Sequence, residues 1–451
     1  MTTSTTRRVI NLDSPPRVPG LPFIGSALKL RYDPLAYFID LYHRYGSVFQ
    51  IKVLNRNITV LAGLEANKFL AGAANEIFTS EALFGGFAQE LETQIFLVAM
   101  DGVSHRHLRK LMRRGYARSA IVPHLPRMIG IVDDFCNRWQ PGERVAVFPI
   151  MQRLVTEQLG WIIANRPPGE YFPDLRLFLN TILNVKVLRI YPGFMLRSPF
   201  YKRAKQRMFQ LAGEVLAEHR ANPPEKTGRH ANLIDDLLSA CDENENPYPE
   251  DFLRAAVLGP YIAGIDTVAS SISFLIYNIL QHPDVYARIM QEVDAVFANG
   301  EPTTSDFRVM TTLNGAIQET LRMYPVAPFT PRTPTRDFEF EGYHIKAGTE
   351  VFFANAVTHY LPELYPEPHT FDVERYQHGS KGAPGAFAPY TLDDHLCLGA
   401  GLAESQMMIT TAALLRRLRL ELESPDFQVH IQARPLPNPG TNFRVRVVGK
   451  R

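Results

Sequence analysis

Apolar residues recur at helical spacing over most of residues 104–282, where clusters of Pro and Gly separate the helical segments. Further helices are predicted over residues 283–300 and after Gly401. In the segment that starts at Gln50, QIKVLNRNITVLAG, β-branched and apolar residues flank a polar Asn-Arg-Asn turn, which predicts a hairpin. Residues 325–375 become Pro-rich and β-like, and FRVRVV near the end is also β-like. The pattern predicts a mainly α fold with small β-sheets (α+β).

Residues 255–283 form the most apolar stretch of the chain, with Asp266 as its one charged residue. The stretch is long enough to span a membrane. Pro260, Gly264, several Ser and Thr residues and the mid-chain position favour a long buried helix of a soluble domain instead. The N-terminus has no apolar segment, so we expect neither a secretory signal nor a membrane anchor there.

The domain organisation follows from the absence of any internal repeat or low-complexity linker in the sequence. The proline-rich residues 1–18 predict an extended N-terminal tail, and residues 19–451 predict a single domain.

Composition excludes several classes of protein. The chain has 451 residues, of which 45% are hydrophobic and 21% charged, so it can bury a sizeable core and is not disordered. A net charge of +2 gives no reason to expect nucleic acid as a partner. The cysteines Cys136, Cys241 and Cys397 are odd in number and far apart, which excludes a disulfide framework and a zinc ribbon. They indicate a reducing compartment.

The segment FAPYTLDDHLCLGAGLAE, residues 387–404, carries the most specific chemical signal. Cys397 lies in a loop directly before a predicted helix, whose N-terminus we expect to lower the thiol pKa. Gly399 and Gly401 would let a large planar ligand approach the backbone closely. A single thiolate held in this way is what the proximal side of a haem iron needs, and the alternative is an ordinary buried cysteine.

Two further motifs place charged residues on predicted helices, one within the apolar stretch and one at a spacing that allows an ion pair. Gly264, Asp266 and Thr267 place a flexible point, an acid and an alcohol within one turn of the apolar helix. A buried acid is costly without a partner or a function, so the pair is either a proton relay or a satisfied core aspartate with its neighbour. Glu319 and Arg322, at i and i+3, can pair on one helix face, as many solvated helix pairs do.

A basic stripe follows residue 102 in the segment DGVSHRHLRKLMRRGYAR. It is either a solvated helix face or a surface that binds anions and an acidic protein partner. Nucleic acid is not predicted, because aromatic residues are not interleaved with the basic ones. The stripe contains Arg106, Arg109, Lys110, Arg113, Arg114 and Arg118.

The order and spacing of these motifs resemble the cytochrome P450 family. The resemblance runs from about Pro19 to the end and includes a His-x-x-x-Arg helix, AGIDT, Glu-x-x-Arg, Phe-x-x-x-Arg at residues 371–375, and His-x-Cys-x-Gly. It implies the cytochrome P450 fold, with a long central helix over a haem and the cysteine loop beneath it. The implied cofactor is heme b, iron protoporphyrin IX.

The resemblance also implies a set of residues around the cofactor. Cys397 matches the axial thiolate and is the implied metal ligand, with Tyr390 and Gly399 beside it in the loop. Positions that bind the haem propionates are matched by His105, Arg109, Arg332 and His395.

Other implied roles concern proton handling and stability. Asp266 and Thr267 match the acid–alcohol pair that handles protons during oxygen splitting, and Gly264 matches a small residue that lets the helix pass close to the haem. The family's buried ion-pair triad, which supports the fold and is not catalytic, is matched by Glu319, Arg322 and Arg375.

Two residues depart from the family's cysteine loop. Tyr390 stands where the family usually has Phe, so the ring is kept and a hydroxyl is added. Asp393 stands where a turn glycine is usual; Asp tolerates left-handed backbone better than most residues, so we expect the turn to survive.

The implied activity is that of a haem-thiolate monooxygenase, which activates O2 to hydroxylate or epoxidise a lipophilic small molecule such as a terpenoid, a steroid or a fatty-acid-like compound. Electrons would come from a separate ferredoxin or flavodoxin, and the enzyme would be cytoplasmic, without a membrane anchor. The implied pocket is apolar, with few charges to hold a carboxylate, and contains Phe84, Phe87, Phe96, Leu183, Ile262, Val326, Ala327 and Phe329.

Two alternatives remain open. A P450-fold peroxygenase, isomerase or dehydratase would not need external electrons, but such relatives often lack the acid–alcohol pair that Asp266 and Thr267 match here. A non-enzymatic haem carrier or sensor would have no need of a proton relay.

Overall fold

The computed structural model describes residues 14–379 and 382–451. The predicted tail of residues 1–18 therefore lies mostly outside the described residues. Its described end runs beside the first strand, where the N–H of Val18 donates to the carbonyl of Gln50 and the N–H of Gln50 donates to the carbonyl of Pro16, both over 2.8 Å. The proline-rich segment is thus tied to the body of the protein.

Helices dominate the described residues, as the hydrophobic pattern predicts. In chain order they are α1 Ala27–Tyr32, α2 Pro34–Tyr45, α3 Leu64–Ala71, α4 Glu81–Glu90, α5 Gly102–Met112, α6 Leu125–Arg138, α7 Val147–Ala164, α8 Phe172–Ile182, α9 Pro199–Ala221, α10 Pro224–Thr227, α11 Leu233–Leu238, α12 Glu250–Gln281, α13 Pro283–Phe297, α14 Thr311–Met323 and α15 Ala400–Arg417. A single turn of π-helix, Leu183–Val187, extends α8.

The strands form small sheets at the periphery of the helices. They are β1 Val48–Val53, β2 Arg56–Ala62, β3 Phe78–Thr79, β4 Arg144–Ala146, β5 Thr330–Pro334, β6 Phe338–Phe340, β7 Tyr343–Ile345, β8 Glu350–Ala354, β9 Leu418–Leu422 and β10 Arg444–Lys450. Their orders are β1-β2-β8-β5-β3, β4-β10-β9 and β6-β7. The predicted α+β class is confirmed.

The hairpin predicted from Gln50 is present as β1 and β2, in antiparallel register from Val48 opposite Leu61 to Val53 opposite Arg56. Its turn lies at Leu54 and Asn55, and Leu54 adopts a φ of 56°. The predicted Asn-Arg-Asn turn is displaced, because Arg56 already belongs to β2 and pairs with Glu350 of the neighbouring β8.

The apolar stretch predicted as a buried helix is α12, which has 32 residues and packs against α7, α9, α14 and α15. Among the described residues it is the helix long and apolar enough to cross a membrane, but 78% of its most apolar window is buried inside the protein. Pro260 lies within this helix and does not end it. The helix is therefore the central core element, which explains its low charge.

Candidate functional site

A large cavity lies between α12, the cysteine loop before α15 and the segment that precedes β5. Its volume is about 730 Å³ and its walls are mostly apolar. All eight apolar pocket residues named from the sequence line it. Phe87 and Phe96 stack face to face with ring centroids 5.3 Å apart, and Phe329 stacks on Phe352 at 4.7 Å.

Cys397 lines the same cavity and its side chain is open to it. The loop is held by backbone bonds: the N–H of Cys397 donates to Tyr390 over 3.0 Å, and the N–H of Leu396 donates to Asp393 over 2.8 Å. Gly399 is the N-cap residue of α15. The sulfur is therefore presented to the cavity at the start of a helix, as the sequence predicts.

The pKa of the Cys397 thiol is raised, not lowered as expected from the helix terminus. Burial is the largest cause, and the Gly399 N–H and the charge of Arg109 oppose it only partly. The helix terminus and the cation act in the predicted direction, but desolvation of a thiolate in this enclosed site outweighs them. A bound metal ion deprotonates a coordinating thiol outright.

A group of histidine and arginine side chains lies beside the cysteine loop. The His105 and His395 rings stack at 4.3 Å, and the carbonyl of Leu396 accepts a hydrogen bond from Arg109. His395 Nε2 lies 2.9 Å from Asp101 Oδ1. Among the described residues, none forms a hydrogen bond with Nε2 of buried His105, and burial lowers the pKa of His105 to about 4. The cavity wall thus offers an unused ring nitrogen next to a guanidinium.

Arg332 also lines the cavity, but its guanidinium is engaged by protein groups. Its Nε donates to Asp393 Oδ2 over 2.8 Å, its Nη2 donates to the same oxygen, and its Nη1 donates to the carbonyl of Pro331. The resemblance implies a propionate-binding role for Arg332 and does not reveal that Asp393 is its partner. The Asp393 carboxylate therefore neutralises the Arg332 guanidinium, which the resemblance pairs with a haem propionate.

The loop turn survives the replacement of glycine by Asp393, though not for the predicted reason. The left-handed residue is Thr391, with a φ of 60°, and Asp393 is not among the residues with positive φ. The Asp393 carboxylate instead accepts the N–H of His395 over 3.2 Å. A side-chain-to-backbone bond of this kind closes a turn locally.

On the α12 side of the cavity, Asp266 and Thr267 follow one another. Thr267 Oγ1 donates to the carbonyl of Ala263 over 2.7 Å, and Gln152 Nε2 of α7 donates to Asp266 Oδ1 over 2.5 Å. Burial raises the pKa of Asp266, while the bond from Gln152 and the charge of Arg176 lower it. Both residues line the cavity, where an acid with a raised pKa can hold or release a proton.

Gly264 also lines the cavity, but a Cβ added there would collide with Leu159 of α7. The space that glycine leaves is thus used by the packing of α12 against α7. The role implied by the resemblance, which is to let α12 pass close to a haem, stays a prediction.

The ion-pair residues meet in the core, away from the cavity. Arg322 Nε and Nη2 donate to the two carboxylate oxygens of Glu319 over 2.9 and 2.7 Å, and both side chains are fully buried. Arg375 Nε donates to Glu319 over 3.2 Å. Arg322 also donates to the carbonyls of His359 and Pro368, so the cluster ties α14 to the chain segment before the cysteine loop.

The cavity residues fit a haem. Within residues 14–379 and 382–451, no group of three or more His, Cys, Asp or Glu residues could hold a metal ion, so a metal here would need another source of ligands. A porphyrin supplies four nitrogens and leaves the axial position to a single thiolate such as Cys397. Nε2 of buried His105, which has no partner among the described residues, and the nearby Arg109 could satisfy a propionate.

Sequence reasoning missed several residues of the site. Gln152 holds Asp266 from a position 114 residues earlier in the chain. Ser80 and Asp101 both contact His395. Gln152 is a polar residue among the mostly apolar buried residues of α7, and this is the signal that could draw attention to it. Nothing in the local sequence distinguishes Ser80 or Asp101 from surface residues.

Comparison with known proteins gives consistent matches over nearly the whole chain. The chain is 27% identical to cytochrome P450 139 of Mycobacterium tuberculosis, over 87% of this chain and 92% of that protein. It is 26% identical to cytochrome P450 120 of Synechocystis (97% and 98% covered) and 26% identical to the abscisic acid 8′-hydroxylase of Solanum lycopersicum (95% and 90% covered).

A solved structure, that of retinoic acid bound cyanobacterial CYP120A1, superposes with a TM-score of 0.83 at 24% identity, covering 97% of this chain and 99% of that one. This likeness supports the fold. The cytochrome P450 family model matches residues 15–441. The chain therefore belongs to the cytochrome P450 family and is a haem-thiolate monooxygenase.

Proposed function

We propose that this monooxygenase hydroxylates or epoxidises a lipophilic small molecule such as a terpenoid, a steroid or a fatty-acid-like compound. One observation carries the proposal: a mostly apolar cavity of about 730 Å³ has Cys397 in one wall and Asp266 and Thr267 in another. Apolar walls favour an apolar substrate because its transfer from water is favourable. The volume includes the space that the cofactor needs.

The chain's own residues divide the work around that cavity. Cys397 is the proposed axial ligand, with Tyr390 and Gly399 shaping its loop. His105, Arg109 and His395 are the proposed propionate partners, with Arg332 behind them in its pair with Asp393. The haem, when bound, supplies the binding and reductive activation of O2.

Proton handling is assigned to α12. Thr267 Oγ1 can give its proton toward the cavity and draw another from the carboxyl of Asp266, whose raised pKa favours the protonated form. This acid–alcohol pair supports the monooxygenase proposal over a peroxygenase, isomerase or dehydratase, which would not need protons delivered in this way.

Relatives give a direction for the substrate class. Two of them carry abscisic acid or retinoic acid in their names. We propose that the present substrate is of similar character, a compact terpenoid-like molecule. The aromatic residues Phe84, Phe87, Phe96 and Phe329, which line the cavity, are suited to such a ring or polyene.

Electrons are proposed to come from a separate ferredoxin or flavodoxin that docks on part of the basic stripe. Lys110 and Arg113 are exposed and have no acidic partner within ion-pair distance among the described residues, whereas Arg106, Arg114 and Arg118 pair with carboxylates. The charge of Arg113 lowers the pKa of Arg109, which bonds to the cysteine loop, so Arg113 lies near that loop. An acidic partner would thus approach near Cys397.

The domain organisation and the cellular location of the enzyme are also proposals. Residues 19–451 are proposed to form one haem-binding domain, preceded by the tail of residues 1–18. We further propose that the enzyme acts in the cytoplasm, with α12 as a core helix.

The first test is the carbon monoxide difference spectrum of the dithionite-reduced protein. We expect a strongly red-shifted Soret band that Cys397→Ser abolishes, with Cys241→Ser as the matched control that keeps it. A band at the position of histidine-ligated haem, or no haem, would overturn the assignment of Cys397. Turnover of substrate with peroxide alone, and none with a reducing partner, would favour the peroxygenase alternative.

The docking surface is tested separately by charge reversal. We expect K110E/R113E to slow reduction by an acidic ferredoxin at low salt while leaving substrate affinity unchanged. The control K202E/R203E reverses two exposed charges on α9. Equal reduction rates in wild type and K110E/R113E would eliminate this surface.

A further inference from the structure

The cavity extends to a mouth formed by α1, the β1–β2 turn and residues 433–437. This mouth comprises the lining residues of α1, of the β1–β2 hairpin near its turn and of residues 433–437, and it includes Arg31, Leu54 and Arg434. The N-terminus of α1 is fixed on the hairpin, since the N–H of Ser26 donates to Lys52 over 2.6 Å and the N–H of Leu54 donates to Ile24 over 3.2 Å. Arg31 is exposed and Leu54 is 40% exposed, so the mouth meets solvent.

In the part of the chain that the structure describes, three arginines line the mouth and two of them lack a counter-charge. Arg56 is neutralised by Glu350, to which its Nε donates over 2.9 Å. Arg31 and Arg434 have no acidic partner within ion-pair distance and no side-chain hydrogen bond among the described residues. The lining of the mouth otherwise consists of apolar residues such as Leu30, Pro435 and Leu436.

These two cations also repel each other. The pKa of Arg434 is lowered, first by burial and then by the charge of Arg31, and the one opposing influence is the Tyr191 phenol. Like charges brought together in this way without a carboxylate are destabilising for the protein itself. An anion bound between them would remove that cost, and a carboxylate matches the two-pronged geometry of guanidinium groups.

We propose that Arg31 and Arg434 bind the carboxylate of an amphipathic acid whose apolar body extends into the cavity toward Thr267. This inference rests on the proposed function, because it names the polar end of that site's substrate. The pocket residues named from sequence include no cation, and Arg31 comes from a segment that the sequence does not connect to the pocket. The proposal departs from the expectation that the pocket has few charges able to hold a carboxylate.

The assignment also constrains orientation. With the carboxylate held at the mouth, the end of the molecule remote from the acid is the part that reaches the Thr267 side of the cavity. Oxidation is therefore expected on the carbon skeleton away from the carboxylate, and not next to it. A neutral analogue would lose this constraint and be oxidised at several positions.

The test compares matched acids and alcohols as binding probes of the haem-loaded enzyme. Retinoic acid with retinol, and hexadecanoic acid with hexadecanol, are titrated while the Soret spectrum and intrinsic fluorescence are followed. We expect the acid of at least one pair to bind about tenfold more tightly than its alcohol, a difference that weakens as salt is added. R31Q/R434Q should lose this preference, and K29Q, an exposed charge removed from the same helix, should keep it.

The outcomes separate this inference from the function on which it rests. No acid preference in either pair, or a preference that R31Q/R434Q retains, overturns the carboxylate site. If the wild-type carbon monoxide spectrum is that of a thiolate-ligated haem in the same preparation, the monooxygenase proposal stands regardless. If that spectrum is absent while the acid preference follows Arg31 and Arg434, the site binds carboxylates and the proposed function fails.

Discussion

Arg332 and Asp393 form a buried ion pair that joins strand β5 to the cysteine loop. Two guanidinium nitrogens of Arg332 reach the same Asp393 oxygen, and the side chains are only 6% and 4% exposed. The other Asp393 oxygen accepts the N–H of His395, two residues before Cys397. A residue that stands in place of a glycine thus fixes the loop to the sheet and occupies the arginine.

We predict that Asp393→Gly, although it restores the family's usual residue, destabilises this protein. The substitution leaves Arg332 charged and buried without its carboxylate partner Asp393, which costs about 3–5 kcal/mol. Urea unfolding of the haem-loaded protein should show the loss, and haem should dissociate faster. Asp394→Gly is the matched control, since Asp394 is exposed and 3.7 Å from Arg106. Equal stability of the two variants would contradict the structural role of the pair.

Gly264→Ala tests why α12 has a glycine at this point. Because the new Cβ would collide with Leu159, we expect a loss of about 1–3 kcal/mol from overpacking. The double variant G264A/L159A should recover part of the haem occupancy that the single variant loses. If glycine is needed for close approach to the haem instead, removing the Leu159 side chain should not restore occupancy.

The sequence predicts what depends on neighbouring residues. The fold class and α12 follow from hydrophobic spacing, which is a local property of the chain. Cys397 stands out because the glycines and the helix that give the thiol its setting lie within a few residues of it. The cofactor was predicted from the family resemblance, since no residue near Cys397 in the sequence specifies a porphyrin.

What the sequence could not predict depends on distant contacts. Asp393 and Arg332 are 61 residues apart, and Gln152 and Asp266 are 114 apart. Neither pairing leaves a periodic or spaced signal. The prediction that the pKa of Cys397 is lowered was wrong for a related reason. The helix terminus can be predicted from the sequence, but the burial that outweighs it exists only in the folded protein.

Because of buried His359, we expect the free energy of unfolding to decrease in acid. The buried ring donates from Nδ1 to the carbonyl of Arg322 and accepts the N–H of Ala388 at Nε2, both over 2.9 Å, so it must be neutral. Burial lowers its pKa from 6.5 to about 3. Above pH 6.5 its full contribution is present, and between pH 6.5 and about 3 it is lost, because only the unfolded state takes up the proton.

The measurement for His359 is the free energy of unfolding between pH 8 and about 4, in wild type and His359→Gln. We expect the advantage of wild type to shrink as the pH falls, since glutamine can make both bonds without titrating. His369→Gln, a substitution at an exposed residue, should give a curve parallel to that of wild type. A pH-independent difference between wild type and H359Q would contradict the neutral ring.

Gln152 is expected to set the proton affinity of Asp266 from outside the motif. Its bond to Asp266 Oδ1 lowers a pKa that burial raises, so Gln152→Leu should raise that pKa further. Because Asp266 is proposed to act in its protonated form, kcat falls as the pH rises through its pKa. We therefore expect Gln152→Leu to move this alkaline limb of the kcat profile to higher pH while KM changes little. In the Asp266→Asn background the same substitution should cause no shift, because the group on which it acts no longer titrates. A shift that persists in Q152L/D266N would assign the effect of Gln152 to the packing of α7 against α12, and Asp266 would lose its place in proton delivery.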